Sequence, residues 1–189
     1  MKIRDHIADD LRRRPADLDR LGEALVQGRR TVAKMRALVE DEPSELNRSD
    51  LGRQASRLAD HLLLADECDE ALALKEEAVG IWRRLGRDKA RFLAELDAAE
   101  IRFELGRRDE ALADLDSLVA QSAKPAFQVY RDFALALRGR CRARTDDTAG
   151  GRADLQEALE LRRERGNQRQ IDHTKRLLEL VASQPPDRA

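Results

Sequence analysis

Six aromatic side chains in 189 residues (four Phe, one Trp, one Tyr) are too few to build a core on large flat rings. The apolar content, 41% of the chain, must come chiefly from Leu, Ala and Val, which favours close helix packing over a sheet. Cysteine is as scarce. Cys68 and Cys141 are isolated and belong to no CxxC or Cys/His spacing, so neither a zinc site nor a disulfide framework is indicated. No run of 18 apolar residues occurs, and the opening Met1-Lys2-Ile3-Arg4-Asp5-His6 is charged. The chain therefore reads as cytoplasmic and soluble, with no membrane contact.

An excess of one charge is missing too. Lys plus Arg (36) nearly cancels Asp plus Glu (37), so bulk attraction to nucleic acid is not expected. The alternating Arg138, Arg140, Arg142 and Arg144 fall on nearly opposite faces of a helix and make no single basic stripe. Arginine greatly outnumbers lysine, which fits a GC-rich, bacterial genome and also suits bidentate grip on carboxylates. Catalytic signatures are absent: there is no G-x-S-x-G, H-E-x-x-H, P-loop or dinucleotide fingerprint. His6, His61 and His173 are dispersed, and His61 beside Asp60 reads as a partly exposed helix residue rather than a general base. No enzymatic activity, cofactor or metal is expected.

What the chain does have is an interval. Ala71, Ala111 and Gly151 are 40 residues apart, as are Ala59, Ala99 and Gly139, and Ala78, Leu118 and Ala158. Asp69-Glu70-Ala71-Leu72 recurs unchanged as Asp109-Glu110-Ala111-Leu112. Small residues in fixed register are what stacked helical hairpins require where two helices touch. Glycine and proline mark the joints. Residues 2–13 form a short leading helix in this reading. Residues 16–41 form a second segment, which Gly22 and Gly28 either break into a hairpin or merely weaken. Helices then run from Ser44 to about Asp66, from Asp69 to Leu85, and from Asp88 to Leu105. Another starts at Asp109, and two more run from Ala126 to Arg144 and from Arg152 to Glu164. A last helix, Ile171 to Val181, caps the stack.

This pattern resembles the tetratricopeptide repeat (TPR), particularly the longer variant of about 40 residues seen in kinesin-light-chain-like proteins. With Gly52, Phe92 and Asp132 as position 1, the family's small positions 8, 20 and 27 fall on the nine residues above. Turn position 15 is Asp66, Gly106 and Asp146, and the usual aromatic at position 11 is replaced by Leu62, Arg102 and Arg142. The resemblance implies an all-α fold, a right-handed α-solenoid of stacked antiparallel hairpins with capping helices at both ends. It divides the chain into an N-terminal helical segment (1–43, a cap or degenerate repeat), three hairpins (44–167), a capping helix (168–183) and a disordered tail (184–189). A plain helical bundle is the alternative.

The resemblance also implies a concave surface lined by the first helix of each hairpin. Its register gives Arg53, Arg57 and Asp60 in the first repeat. It gives Leu93, Leu96, Asp97, Glu100, Phe103 and Glu104 in the second, Phe133, Leu137, Arg140 and Arg144 in the third, and His173 and Arg176 in the cap. Such a groove is basic at both ends and acidic in the middle, over an apolar floor of Leu96, Phe103 and Phe133, and would suit an acidic or mixed-charge peptide or helix. Ser56 and Asp60 stand where the family's clamp for a C-terminal carboxylate would need Lys and Asn, which disfavours that ligand. Trp82 reads as a plug for the next hairpin, and as a contact residue only if exposed. The expected function is a non-catalytic adaptor binding another protein. The alternative is a subunit that self-assembles into homo-oligomers through its terminal helices, with Met35, Leu38, Val39 and Leu46 offered to another chain.

Overall fold

Caps and turns cut this chain into helices of 13 to 24 residues. The computed structural model describes residues 5–145 and 147–183. Among them are eight α-helices: α1 (Leu18–Asp41), α2 (Glu45–Leu64), α3 (Cys68–Arg84), α4 (Asp88–Glu104), α5 (Arg108–Gln121), α6 (Arg131–Ala143), α7 (Thr148–Glu164) and α8 (Gln168–Ser183). Asp17 and Ser44 cap α1 and α2 by accepting the backbone N–H groups of Arg20 and Asn47. Asp147 caps α7 in the same way, through Gly150.

The C-terminal ends of α2, α3, α4 and α7 follow one rule. α3 closes with Gly86 in the left-handed conformation (φ 62°), its N–H donating to Arg83 O while the Arg87 N–H reaches Trp82 O at 2.9 Å. These paired bonds occupy carbonyls that the helix end would otherwise leave unpaired. Gly106 and Gly166 repeat the arrangement, and Asp66 performs it without being glycine (φ 65°). Left-handed closures thus fall at 66, 86, 106 and 166, in steps that are multiples of a single helix-plus-turn length.

Two expectations are corrected, and one open alternative is decided in favour of a single long helix. The described part of the leading segment is not helical: it is a hairpin of β1 (Asp5–Ile7) and β2 (Arg13–Pro15). Asp10 accepts the Arg12 N–H, Leu11 adopts a positive φ of 61°, and Pro15 holds Arg14 extended, each of which opposes a helix. Gly22 and Gly28 do not break α1, which is continuous. The helix expected from Ala126 begins only at Arg131, after a 3-10 turn over Gln128–Tyr130. The tail 184–189 and the turn residue Asp146 lie outside the described residues.

The helices group into two compact units. In the first, α3 packs against both α2 and α4, α2 touches α4, and α1 lies along α2. Gly52 of α2 receives the Trp82 indole, which is buried, so Trp82 is a packing residue. Arg29 and Arg36 of α1 pair with Glu70 and Glu77 of α3 at 2.6 Å. In the second, α7 packs against α6 and α8, while α5 lies against α6. Gly139 and Gly151 meet at the α6–α7 crossing, where a Cβ on either would stand 2.7 Å from the other's carbonyl oxygen. All nine residues of the 40-residue register are buried.

Candidate functional site

The register that buries Ala71 and Ala78 also buries the residue between them at helical spacing. That residue is Leu115 in α5 and Leu155 in α7, both fully buried. In α3 it is Lys75, with 1% of its side chain accessible. Its ammonium donates to Ser56 O at 3.0 Å and to Asp60 Oδ1 and Asp97 Oδ2, both at 2.8 Å, so one cation ties α2, α3 and α4. Three partners match its three protons, which is how a buried lysine stays charged. Burial works against its charge, but the two carboxylates outweigh that and raise Lys75 above the ordinary lysine value.

The carboxylates are not sealed in. Asp60 and Asp97 keep 44% and 40% of their side chains open, on the face formed by α2 and α4. The Asp97 carboxyl is pushed up to about 6, first by desolvation and then by repulsion from Asp60 and Glu100, with Lys75 opposing. Glu100 is buried and accepts from Arg13 Nη1 of β2 at 3.4 Å. β2 lies against α2, so an extended piece of the chain already rests on these helices. Arg53 and Arg57 stand exposed on α2; Arg53 pairs with Asp50, and Arg57 donates to Gln54.

Of the residues expected on a groove, the first unit brings Asp60 and Asp97 together on Lys75. Leu96, Glu100 and Phe103 are buried instead of forming an open floor. In the second unit Phe133 is 40% exposed and Arg176 is exposed, Leu137 and Arg144 are half-buried, and Arg140 is buried. Arg162, beneath the Phe133 ring at 5.5 Å, bonds the buried Asp132 at 2.9 Å and also reaches Thr174, joining α6, α7 and α8. Arg138 bridges Asp154 and Asp116, holding α6 to α7 and α5. These are structural pairs, in which arginines grip carboxylates of the same chain.

His61 also departs from expectation: it is buried, with 7% accessible, not partly exposed. Burial pushes its imidazole below the ordinary value, Asp60 pulling it back and Arg57 reinforcing it. It lines a cavity of about 250 Å³ between α1 and α2 together with Glu23, Gln27, Gln54 and Arg57. Neither Lys75 nor His61 stood out in the sequence as a site. For Lys75 the signal was present: a lysine in the Ala71–Ala78 line, where the next two repeats carry leucine.

No protein-family model and no curated protein matches the sequence. Solved structures do. The nearly identical TPR-like repeats of a Podosopora anserina protein described as a kinesin light chain superpose with a TM-score of 0.57 at 19% identity, covering 86% of each chain. A variant of those repeats with one glutamine replaced by methionine gives 0.58 at 19% identity, covering 86% of this chain and 85% of that one. No described helix is long and apolar enough to cross a membrane. The 40-residue register, the paired left-handed helix closures and the structural likeness agree, and the chain is an all-α, TPR-like repeat protein.

Proposed function

We propose that this protein is a non-catalytic interaction module whose inner helices hold an extended or helical segment of another protein. The observation that carries the reading is β2. An extended, arginine-bearing strand of the chain lies on α2 and places Arg13 on Glu100, so the face accommodates the kind of segment the reading requires. Asp60 and Asp97, fixed by Lys75, offer open carboxylates to a basic partner residue, while Arg53 and Arg57 offer charge to an acidic one. A mixed-charge segment complements this face better than a uniformly charged one. In the second unit Phe133, Leu137, Arg144 and Arg176 are the corresponding candidates. Leu96, Glu100 and Phe103 are buried within the first unit and Arg140 within the second. Nucleic acid and membrane are not proposed as partners.

The test is capture from the native cell extract, comparing the intact chain with an Arg53→Glu, Leu93→Glu variant, both positions being exposed. A partner retained by the first and lost by the second, with both folded, is the expected result. Equal retention would remove the α2–α4 face from the reading.

A second reading has its own observation. Leu18, Val26 and Leu46 stand exposed on α1 and α2, as an interface between copies would need. If self-assembly is the role, light scattering finds an oligomer that Leu18→Ser with Leu46→Ser converts to monomer.

A further inference from the structure

Positions 3, 7 and 10 of each repeat's first helix allow the three repeats to be compared. In the second repeat they are Ala94, Ala98 and Ile101, all buried and apolar, within the core that α3 completes. In the third they are Ala134, Arg138 and Cys141, and the one polar side chain is tied to Asp154 and Asp116. In the first repeat they are Gln54, Leu58 and His61. Here the facing helix is α1, which presents Glu23, Ala24, Gln27 and Gly28, and the helices leave a cavity of about 250 Å³. Most of its lining is apolar, but Glu23, Gln27, Gln54, Arg57 and His61 also line it, which a purely apolar packing defect would not show.

Those groups are not used up within the protein. The His61 ring makes no hydrogen bond among the described residues, although the residue is more than nine-tenths buried. Gln54 accepts from Arg57 through its oxygen, which leaves its amide N–H groups without a partner there. Arg57 makes no ion pair among the described residues. Gln27 donates to Thr31 at 3.3 Å, and the exposed Glu23 carboxylate also lines the cavity, from α1. A guanidinium, a carboxamide and an imidazole therefore line one cavity together with Ala24, Gly28 and Leu58. Arg57 occupies position 6, a concave position in the repeat register, so the cavity adjoins the face described above.

We propose that the α1–α2 cavity is an anchoring pocket for the carboxylate side chain of an acidic residue, Asp or Glu, within a partner segment. This rests on the interaction reading and deepens it. Arg57 supplies charge and a forked donor, while Gln54 and His61 supply the further N–H groups that a carboxylate's oxygens accept. The short methylene stem of the incoming residue lies on Ala24 and Leu58.

The probe is acetyl-glutamic acid α-amide, which carries only a side-chain carboxylate, followed by NMR at the His61 imidazole in the intact chain. Acetyl-glutamine amide is the neutral isostere, and acetyl-alanine carries only a terminal carboxylate. A saturable shift is expected with the glutamic probe alone. Arg57→Gln weakens it about tenfold or more, as loss of a charge-assisted pair should. Ala24→Leu, which fills the cavity, removes it, while Arg53→Gln leaves it unchanged. The inference is overturned by no saturable shift, by equal response to the glutamine or terminal-carboxylate probe, or by indifference to Arg57→Gln. A partner captured equally well by the intact chain, Arg57→Gln and Ala24→Leu would also sink the pocket while leaving the interaction role intact. Failure to capture any partner would count against the role, and the probe titration would still decide the pocket.

Discussion

Lys75 shows how one side chain decides what a repeat can do. Replacing it with Met leaves Asp60 and Asp97 facing each other without their shared cation. The expected cost is about 2–3 kcal/mol in urea unfolding, at the low end for a broken buried pair because both carboxylates reach solvent. Lys75→Leu with Asp60→Ala and Asp97→Ala restores the arrangement of the neighbouring repeats and should recover most of that. Asp97 carries a pH signature of its own. A carboxyl raised from 3.8 to about 6 binds its proton more tightly folded than unfolded, so its contribution improves stability as pH falls from above 6 toward 4. With 40% of the side chain open, solvent screening limits the gain to about 1 kcal/mol. It is read as the difference in urea midpoint between pH 7 and pH 5 that Asp97→Asn lacks. A rise in stability toward pH 7 that Asp97→Asn abolishes would reverse the sign. At this scale the sequence was only partly legible. The inward lysine could be read from its place between Ala71 and Ala78. The burial of His61 could not, because a histidine next to Asp60 gives no indication of which neighbour covers it.

Helices and their joints were far easier to read, since they rest on local chemistry. Gly86, Gly106 and Gly166 stop helices because they alone enter the left-handed region without cost, and each does so in the structure. Asp66 does the same under mild strain, so Asp66→Gly should raise stability by about 0.5–1 kcal/mol, measured as a higher urea midpoint at unchanged slope. Gly151→Ala is expected to do the opposite. Its Cβ would meet backbone at 2.7 and 2.8 Å, and forcing α6 from α7 costs about 2 kcal/mol or more. The hairpin at 5–15 was misread as a helix because its charge and spacing suit an amphipathic stretch, while the deciding features, the Asp10 turn and Leu11, are single residues. The candidate face was half legible. Register places Asp60 and Asp97 near each other and leaves Arg53 and Arg57 exposed, as the structure has them, but it could not foresee that Leu96, Phe103 and Arg140 are buried, which depends on how neighbouring elements cover them.

For the molecule as a whole, what is scarce in the sequence stays decisive. Both cysteines are free and buried, so a reducing agent should leave the thermal midpoint unchanged, and a drop would require a disulfide that the structure lacks. Fold class was legible because nine buried positions share one period, a signal that survives where single motifs such as the position-11 aromatic are missing. The regular placing of the left-handed closures has a further consequence. A tandem duplication of the coding DNA for residues 66–105 would add two helices with every turn intact, whereas duplicating one helix would exchange inner for outer positions in all that follows. The hairpin, not the helix, is therefore the increment by which such a chain can grow or shrink over generations.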